Sequence, residues 1–143
     1  MLRLTDITSY AEAHQAFTKE ALWSLFDGDR NHLNIGHECV DRHDPERTAI
    51  TVAYENGGYE QTTYGELREW SNRFANWLGE QGVEQGDRIC IMLDPSLAFY
   101  LSLYGAMKKG AIAVPLFTLF GVDGLRLRFE DCSPRLVVTS RAL

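Results

Sequence analysis

Arg88-Ile89-Cys90-Ile91-Met92-Leu93-Asp94-Pro95-Ser96, followed downstream by Gly110-Ala111-Ile112-Ala113-Val114-Pro115-Leu116, is the stretch that decides the fold. Arg88–Leu93 and Ala111–Leu116 each read as a short apolar strand. Gly86-Asp87 turns the chain into the first strand. Asp94-Pro95 leaves it, reading as an N-cap followed by a proline at the first helical position. The connection Ser96–Lys109 reads as a helix apolar on most sides, with Leu97, Phe99, Tyr100, Leu101, Leu103 and Tyr104. A helix of that kind is expected to be buried on more than one side. Gly110 stops it. Strand, helix and strand in this order predict a right-handed βαβ unit.

The same pattern continues outward. Gly121–Asp123 opens another helix that runs to about Asp131, and Leu136–Thr139 is a last strand. Upstream, Thr63-Tyr64-Gly65-Glu66 has the Thr-x-x-Glu spacing of a capping box. Leu67, Trp70, Phe74 and Leu78 then form one apolar stripe, and Gly82 ends that helix by taking positive φ. Ala49–Tyr54 and Tyr59–Thr63, either side of Asn56-Gly57-Gly58, predict a β-hairpin. Farther back, Ala11–Phe26 reads as a helix capped by Thr8 or Ser9, with Phe17, Ala21 and Leu25 at helical spacing. Asp27-Gly28-Asp29 breaks it. A short helix is expected over Ile35–Arg42, ended by Asp44-Pro45. The fold class is therefore α/β: βαβ units with a mainly parallel sheet flanked by helices, preceded by a helical N-terminal arm and a hairpin. The expected division is an arm over 1–47 and an α/β subdomain over 48–143.

Composition narrows the function. The 143 residues are 45% hydrophobic and 24% charged, which excludes a disordered chain, a collagen and a coiled coil. Fourteen basic against twenty acidic side chains leave a net charge of −6. That argues against nucleic acid, whose binding draws on Lys and Arg, and against an anionic membrane. The N-terminus shows no signal peptide, and no apolar run is long enough to span a bilayer. Cys39, Cys90 and Cys132 are odd in number and widely spaced, as in a reducing, cytoplasmic setting without a disulfide scaffold. Charge is uneven: residues 104–143 hold six basic and three acidic side chains, while 1–103 hold eight and seventeen. Solvated helix faces explain such a pattern; an anionic ligand bordered by the C-terminal third is the sharper alternative.

No complete chemistry is written in the residues. There is no G-x-x-x-x-G-K-[ST], no G-x-G-x-x-G after a strand and no G-x-S-x-G. Gly82–Gly86 precedes a strand, so it reads as a connecting turn. Cys90, mid-strand, reads as a buried structural thiol. His32, His37, Cys39, Asp41 and His43 are ligand types, but their spacing matches no zinc pattern, and packing or surface roles are expected. Tyr100 and Tyr104 share a helix face that packing explains. A flavodoxin-like binder needs a ligand loop after its first parallel strand; Asp94-Pro95-Ser96 contains no glycine.

From about residue 33 onward the chain resembles the opening part of the AMP-forming acyl-CoA synthetases of the adenylate-forming superfamily, of acetyl- and medium-chain type. The matching residues fall in order. Leu33-Asn34-Ile35 with Asp41-Arg42-His43 comes first, then Thr62-Thr63-Tyr64-Gly65-Glu66-Leu67. Phe74-Ala75-Asn76-Trp77-Leu78, Gly82-Val83 and Gly86-Asp87-Arg88 follow. Met107-Lys108-Lys109-Gly110-Ala111 and Val114-Pro115-Leu116 resemble the K-x-G-A-x-x-V-P-L block. Arg128-Phe129, Asp131-Cys132 and Leu136–Thr139 resemble the next stretch.

The resemblance implies a ligase that joins a small-molecule carboxylate to coenzyme A through an acyl-adenylate, with ATP and Mg in the full-length enzyme. It also implies that these 143 residues are an N-terminal piece. They lack the Ser/Thr/Gly-rich phosphate loop, the aromatic-Thr-Glu segment, the ribose-binding Asp and the C-terminal catalytic Lys. No catalytic or metal residue carries over, the piece alone is expected to be inactive, and no cofactor is expected on it. One segment carries a binding role by resemblance: Thr118, Leu119 and Phe120 stand where the family's G-G-F lines the coenzyme A site, with both glycines replaced. Packing of a βα junction is the rival role for that segment. Cutting such a piece from a larger sheet implies self-association, through the sheet edge or the helix Ser96–Lys109. The alternative reading is a stand-alone α/β binding or assembly module without catalysis.

Overall fold

The computed structural model describes residues 3–141, and the chain divides into two compact units, Met1–Asn34 and Ile35–Leu143. In the first unit, two helices replace the single one expected: α1, Tyr10–Ala16, and α2, Lys19–Trp23. The break is Thr18. Its backbone is extended, and its hydroxyl accepts the Ala21 N–H at 3.0 Å. A β-branched hydroxyl residue competes with the helix for backbone groups and starts a new helix as its N-cap. After α2 the Asp29 carboxylate accepts the N–H groups of Asn31 and His32. The Asn31 N–H, then that of His32, holds the Asp29 carboxyl below the usual carboxylate range. Gly28 is required in this loop, because a Cβ there would lie 2.3 Å from the His32 carbonyl oxygen.

The second unit opens with a π-helical turn, His37–Asp41, closed by Arg42 N–H on the His37 carbonyl. Strands β1, Thr48–Ala53, and β2, Tyr59–Thr63, form the expected antiparallel hairpin. Helix α3, Tyr64–Glu80, starts in the expected capping box: the Thr63 hydroxyl accepts Glu66 N–H at 3.2 Å, and Glu66 Oε2 accepts Thr63 N–H at 2.8 Å. Then β3, Arg88–Met92, α4, Leu97–Lys109, β4, Ile112–Pro115, α5, Val122–Cys132, and β5, Leu136–Thr139, alternate along the chain. The three strands pair in parallel in the order β4-β3-β5.

The pleat of central β3 divides the core. Ile89 and Ile91 face Leu78, Val83 and Ala106. Cys90 and Met92 face the other way, against Leu116, Phe120 and Phe129. A parallel sheet with both faces covered reads as a continuous apolar run, as Ile89–Met92 does. The first crossover runs from β3 through α4 to β4, and the second runs back from β4 through α5 past β3 to β5. Two right-handed crossovers in opposite directions set α4 on one face and α5 on the other.

Three local expectations are corrected. The buried positions of α3 are Leu67, Ser71 and Leu78, with Phe74 partly buried against the core; Trp70 stays 44% exposed, with the Arg73 guanidinium over its ring. Ser71 takes the inner place because α3 and α4 approach closely there. A Cβ on Gly105 would meet the Ser71 carbonyl oxygen and Phe74 Cδ1 at 2.8 Å. Both buried serines satisfy their hydroxyls on their own helix, Ser71 on the Leu67 carbonyl and Ser102 on that of Ala98. Second, the N-cap of α4 is Ser96, which accepts the Phe99 N–H at 3.3 Å. Pro95 therefore precedes the helix, and Asp94 is released for another contact. Third, Cys90 and Cys132 are distant only in sequence: their sulfurs lie 3.8 Å apart.

Candidate functional site

In parallel α/β sheets, ligands lie outside the carboxyl ends of the strands. Here that position holds a cleft of about 230 Å³ between the ends of β3 and β4. Leu93 and Asp94 continue β3, Pro115 ends β4, and Phe117 and Thr118 continue it; Phe99 on the first turn of α4 closes the back. Its one polar pair is Thr118 Oγ1, which donates to Asp94 Oδ1 at 2.8 Å. Asp94 is the only charged side chain lining it among the described residues. The cleft can hold an apolar or flat aromatic group and accept one hydrogen bond. It cannot itself seat a phosphate, because the Asp94 carboxylate would repel one.

The three residues singled out by resemblance go to different surroundings. Thr118 lines the cleft. Leu119 is 94% exposed. Phe120 turns to the α5 face of the sheet, where the Arg128 guanidinium sits 3.7 Å from its ring centre. Phe117, adjacent to them and 75% exposed, stands edge-on to Phe120 at 5.6 Å. Gly121, the N-cap of α5, has no side-chain cap bond, so that helix presents free N–H groups at the same end of the sheet.

The basic C-terminal third is not one surface. Lys108 and Lys109 end α4 and Arg135 precedes β5, which puts all three at the opposite, amino end of the sheet. Lys108 pairs with Asp41 at 2.5 Å. Arg126 faces Asp123, and Arg128 covers Phe120. The ligand-type residues around position 37 also disperse. His32 bonds Asp29 in the first unit, and His43 stacks on Tyr64 with centroids 4.6 Å apart. Among the described residues no three His, Cys, Asp or Glu side chains converge as a metal site. Tyr100 and Tyr104 line a polar hollow of about 310 Å³ with Tyr64, Cys39 and Thr51. Burial, then the neighbouring Cys39, Tyr64 and Tyr100, pushes the Tyr104 phenol above its usual range.

The Asp94–Thr118 pair was missed at the level of sequence because Asp94 before Pro95 also satisfies a helix-cap pattern. The available signal was position: both residues lie just past the ends of neighbouring parallel strands.

This doubly covered parallel sheet is shared with known proteins. The chain belongs to the AMP-binding enzyme family, which matches residues 38–143. It is 34% identical over 143 residues to the acetyl-coenzyme A synthetase of Bacillus subtilis (strain 168), covering 96% of this chain and 25% of that protein. It is also 34% identical over 113 residues to the acetyl-coenzyme A synthetase of Pasteurella multocida (strain Pm70), covering 77% of this chain and 17% of that one. The crystal structure of the Brucella canis acyl-CoA synthetase superposes with a TM-score of 0.87 at 30% identity, over 95% of this chain and 26% of that one. The chain thus spans about a quarter or less of the length of these relatives. Among the described residues no helix is long and apolar enough to cross a membrane.

Proposed function

We propose that this chain is the opening part of the adenylate-forming domain of an AMP-forming acyl-CoA synthetase, a ligase that joins a small carboxylate to coenzyme A at the expense of ATP. The observation that carries the reading is the superposition on the Brucella canis acyl-CoA synthetase over nearly all of this chain. In that reaction ATP activates the carboxylate as an acyl-adenylate, and the coenzyme A thiol displaces AMP.

The residues present do not fit Mg-ATP. No carboxylate cluster converges among the described residues, and the sequence contains no phosphate loop. No step through the nucleotide or Mg is assigned to this chain. Coenzyme A fits better. Phe117 offers an exposed flat face, and the cleft behind it is apolar with one hydroxyl–carboxylate pair. Thr118, Leu119 and Phe120 form one wall of the coenzyme A site in this reading. Thr118 orients the turn through Asp94, Leu119 meets the ligand as an exposed apolar side chain, and Phe120 holds Arg128 near this end of the sheet. Its phosphates then lie outside the cleft, away from Asp94.

Alone, the chain self-associates in this reading. Both β4 and β5 are sheet edges, with Ile112 and Val137 exposed on them. Phe117, Leu119, Val122 and Leu127 expose further apolar surface beside α5. Helix α4 contributes less than expected, since none of its residues from Phe99 onward is exposed.

Calorimetric titration with coenzyme A tests the ligand face. Weak binding is expected that falls with salt, as phosphate contacts are screened over about 8 Å at physiological ionic strength, and that drops further in Phe117→Ala. No heat at low salt, or binding indifferent to Phe117, would overturn it.

A further inference from the structure

Outside the cleft, Cys90 and Cys132 bring two thiols from different elements together. Cys90 lies in the middle of β3 and is fully buried. Cys132 is the last residue of α5 and is partly exposed. Their sulfurs are 3.8 Å apart, within van der Waals contact. The end of α5 is held in place independently of them: Arg88 donates Nε to the Cys132 carbonyl at 2.6 Å and Nη2 to that of Ser133 at 2.9 Å. Ser133 turns the chain with φ of 45°. The thiols therefore face each other across a fixed contact.

We propose that Cys90 and Cys132 form a thiol–disulfide site, oxidised by hydroperoxides, that staples α5 to the centre of the sheet. The exposures set the order of events. Of the two, Cys90 is buried and Cys132 is partly exposed, so it is the Cys132 sulfur that attacks the peroxide oxygen. The O–O bond breaks, and an alcohol (water, from hydrogen peroxide) leaves with Cys132 as the sulfenic acid. Cys90 sulfur then attacks Cys132 sulfur, the S–O bond breaks, and the hydroxyl leaves as water with the Cys90 proton. Two thiols are oxidised and one peroxide is reduced. Burial, with the facing Cys132, pushes the Cys90 thiol up to about 12. It therefore stays protonated and resists oxidants from outside. The sulfur that reaches it is that of Cys132.

The bond would close a loop of chain running from β3 through α4 and β4 to the end of α5. That loop contains the whole Asp94–Thr118 cleft. Oxidation would tie down the segment that carries the candidate site. Cys39, exposed on the π-helical turn, takes no part.

The test uses the full 143-residue chain as Cys39→Ser, which keeps the pair and removes the third thiol. After hydrogen peroxide and alkylation under native conditions, the intact mass should be lower by two hydrogens, with no alkylation. A proteolytic peptide pair should link Cys90 to Cys132. Dithiothreitol should restore both thiols, and the thermal transition should be higher in the oxidised form. In Cys90→Val, a peroxide-dependent dimedone adduct should appear at Cys132. Two free thiols after peroxide, a link formed only in urea, or a link only between chains would each overturn the proposal. So would a dimedone adduct at Cys132 of equal yield with Cys90 present.

Discussion

Lys108 Nζ sits 2.5 Å from Asp41 Oδ1, across 67 positions of sequence, and also donates to Asn72 Oδ1 at 2.7 Å. The pair clamps the π-helical turn against the end of α4, and the lysine side chain is only 8% exposed. A charge so enclosed serves packing, and salt screens it little.

Lys108→Met keeps the stem and removes the ammonium. Asp41 and Asn72 both lose a charge-assisted donor, at a cost of about 1–3 kcal/mol. Urea denaturation should show a lower midpoint at unchanged slope. An unchanged midpoint would show that the clamp contributes nothing net.

At Gly105 two effects oppose each other. Alanine gains about 1 kcal/mol of helix propensity over glycine. Its Cβ, however, would lie 2.8 Å from the Ser71 carbonyl oxygen, a backbone atom on the facing helix. Overpacking of this kind costs about 1–3 kcal/mol. Gly105→Ala should therefore be destabilising, and Gly105→Val more so. A stabilised alanine variant would mean that α3 and α4 separate freely.

Glu66 carries a pH dependence with a definite sign. The Thr63 N–H and hydroxyl hold its carboxyl below the usual range. A depressed native pKa contributes stability that is complete above the unfolded-state value and is lost as pH falls through the native one. Acid unfolding of Glu66→Gln should lack that component, so the difference between it and the parent should shrink below about pH 4. A difference constant from pH 7 to pH 3 would contradict this origin. Thr63→Ala removes the other half of the box and should cost about 0.5–2 kcal/mol at neutral pH.

The exposed β4 and β5 edges predict association of the chain by itself. Sedimentation at micromolar concentration should show a dimer or larger species, weakened by Val137→Lys on the β5 edge, since charge blunts an edge strand. A monomer throughout would show that these edges are closed within one chain.

Much of the fold was legible because periodicity and punctuation agree in it. Ile89–Met92 is apolar on both faces, Gly82 and Gly110 take positive φ where helices end, and Thr63 with Glu66 caps α3. The misreadings share one cause. Thr18, Ser96 and Ser71 are small polar residues whose roles depend on which backbone group or helix stands opposite, and local pattern does not encode that. Trp70 fits the helical stripe by spacing, yet the close approach at Gly105 selects Ser71 instead. The site was less legible still. Asp94 and Thr118 are 24 positions apart, and Cys90 and Cys132 are 42 apart. Both pairs exist only because β3 lies beside β4 and beneath α5.

The most direct measurement is carboxylate-dependent exchange of pyrophosphate into ATP by the purified chain, with acetate and with a medium-chain acid. Adenylation needs groups that hold ATP phosphates and a metal; the sequence contains no phosphate loop, and no three His, Cys, Asp or Glu side chains converge among the described residues. Exchange should equal the blank under every condition, while coenzyme A still binds. Exchange that depends on the acid and copurifies with the chain would contradict the proposed division of labour, in which this part contributes a coenzyme A face and the sheet behind it, and no adenylation chemistry.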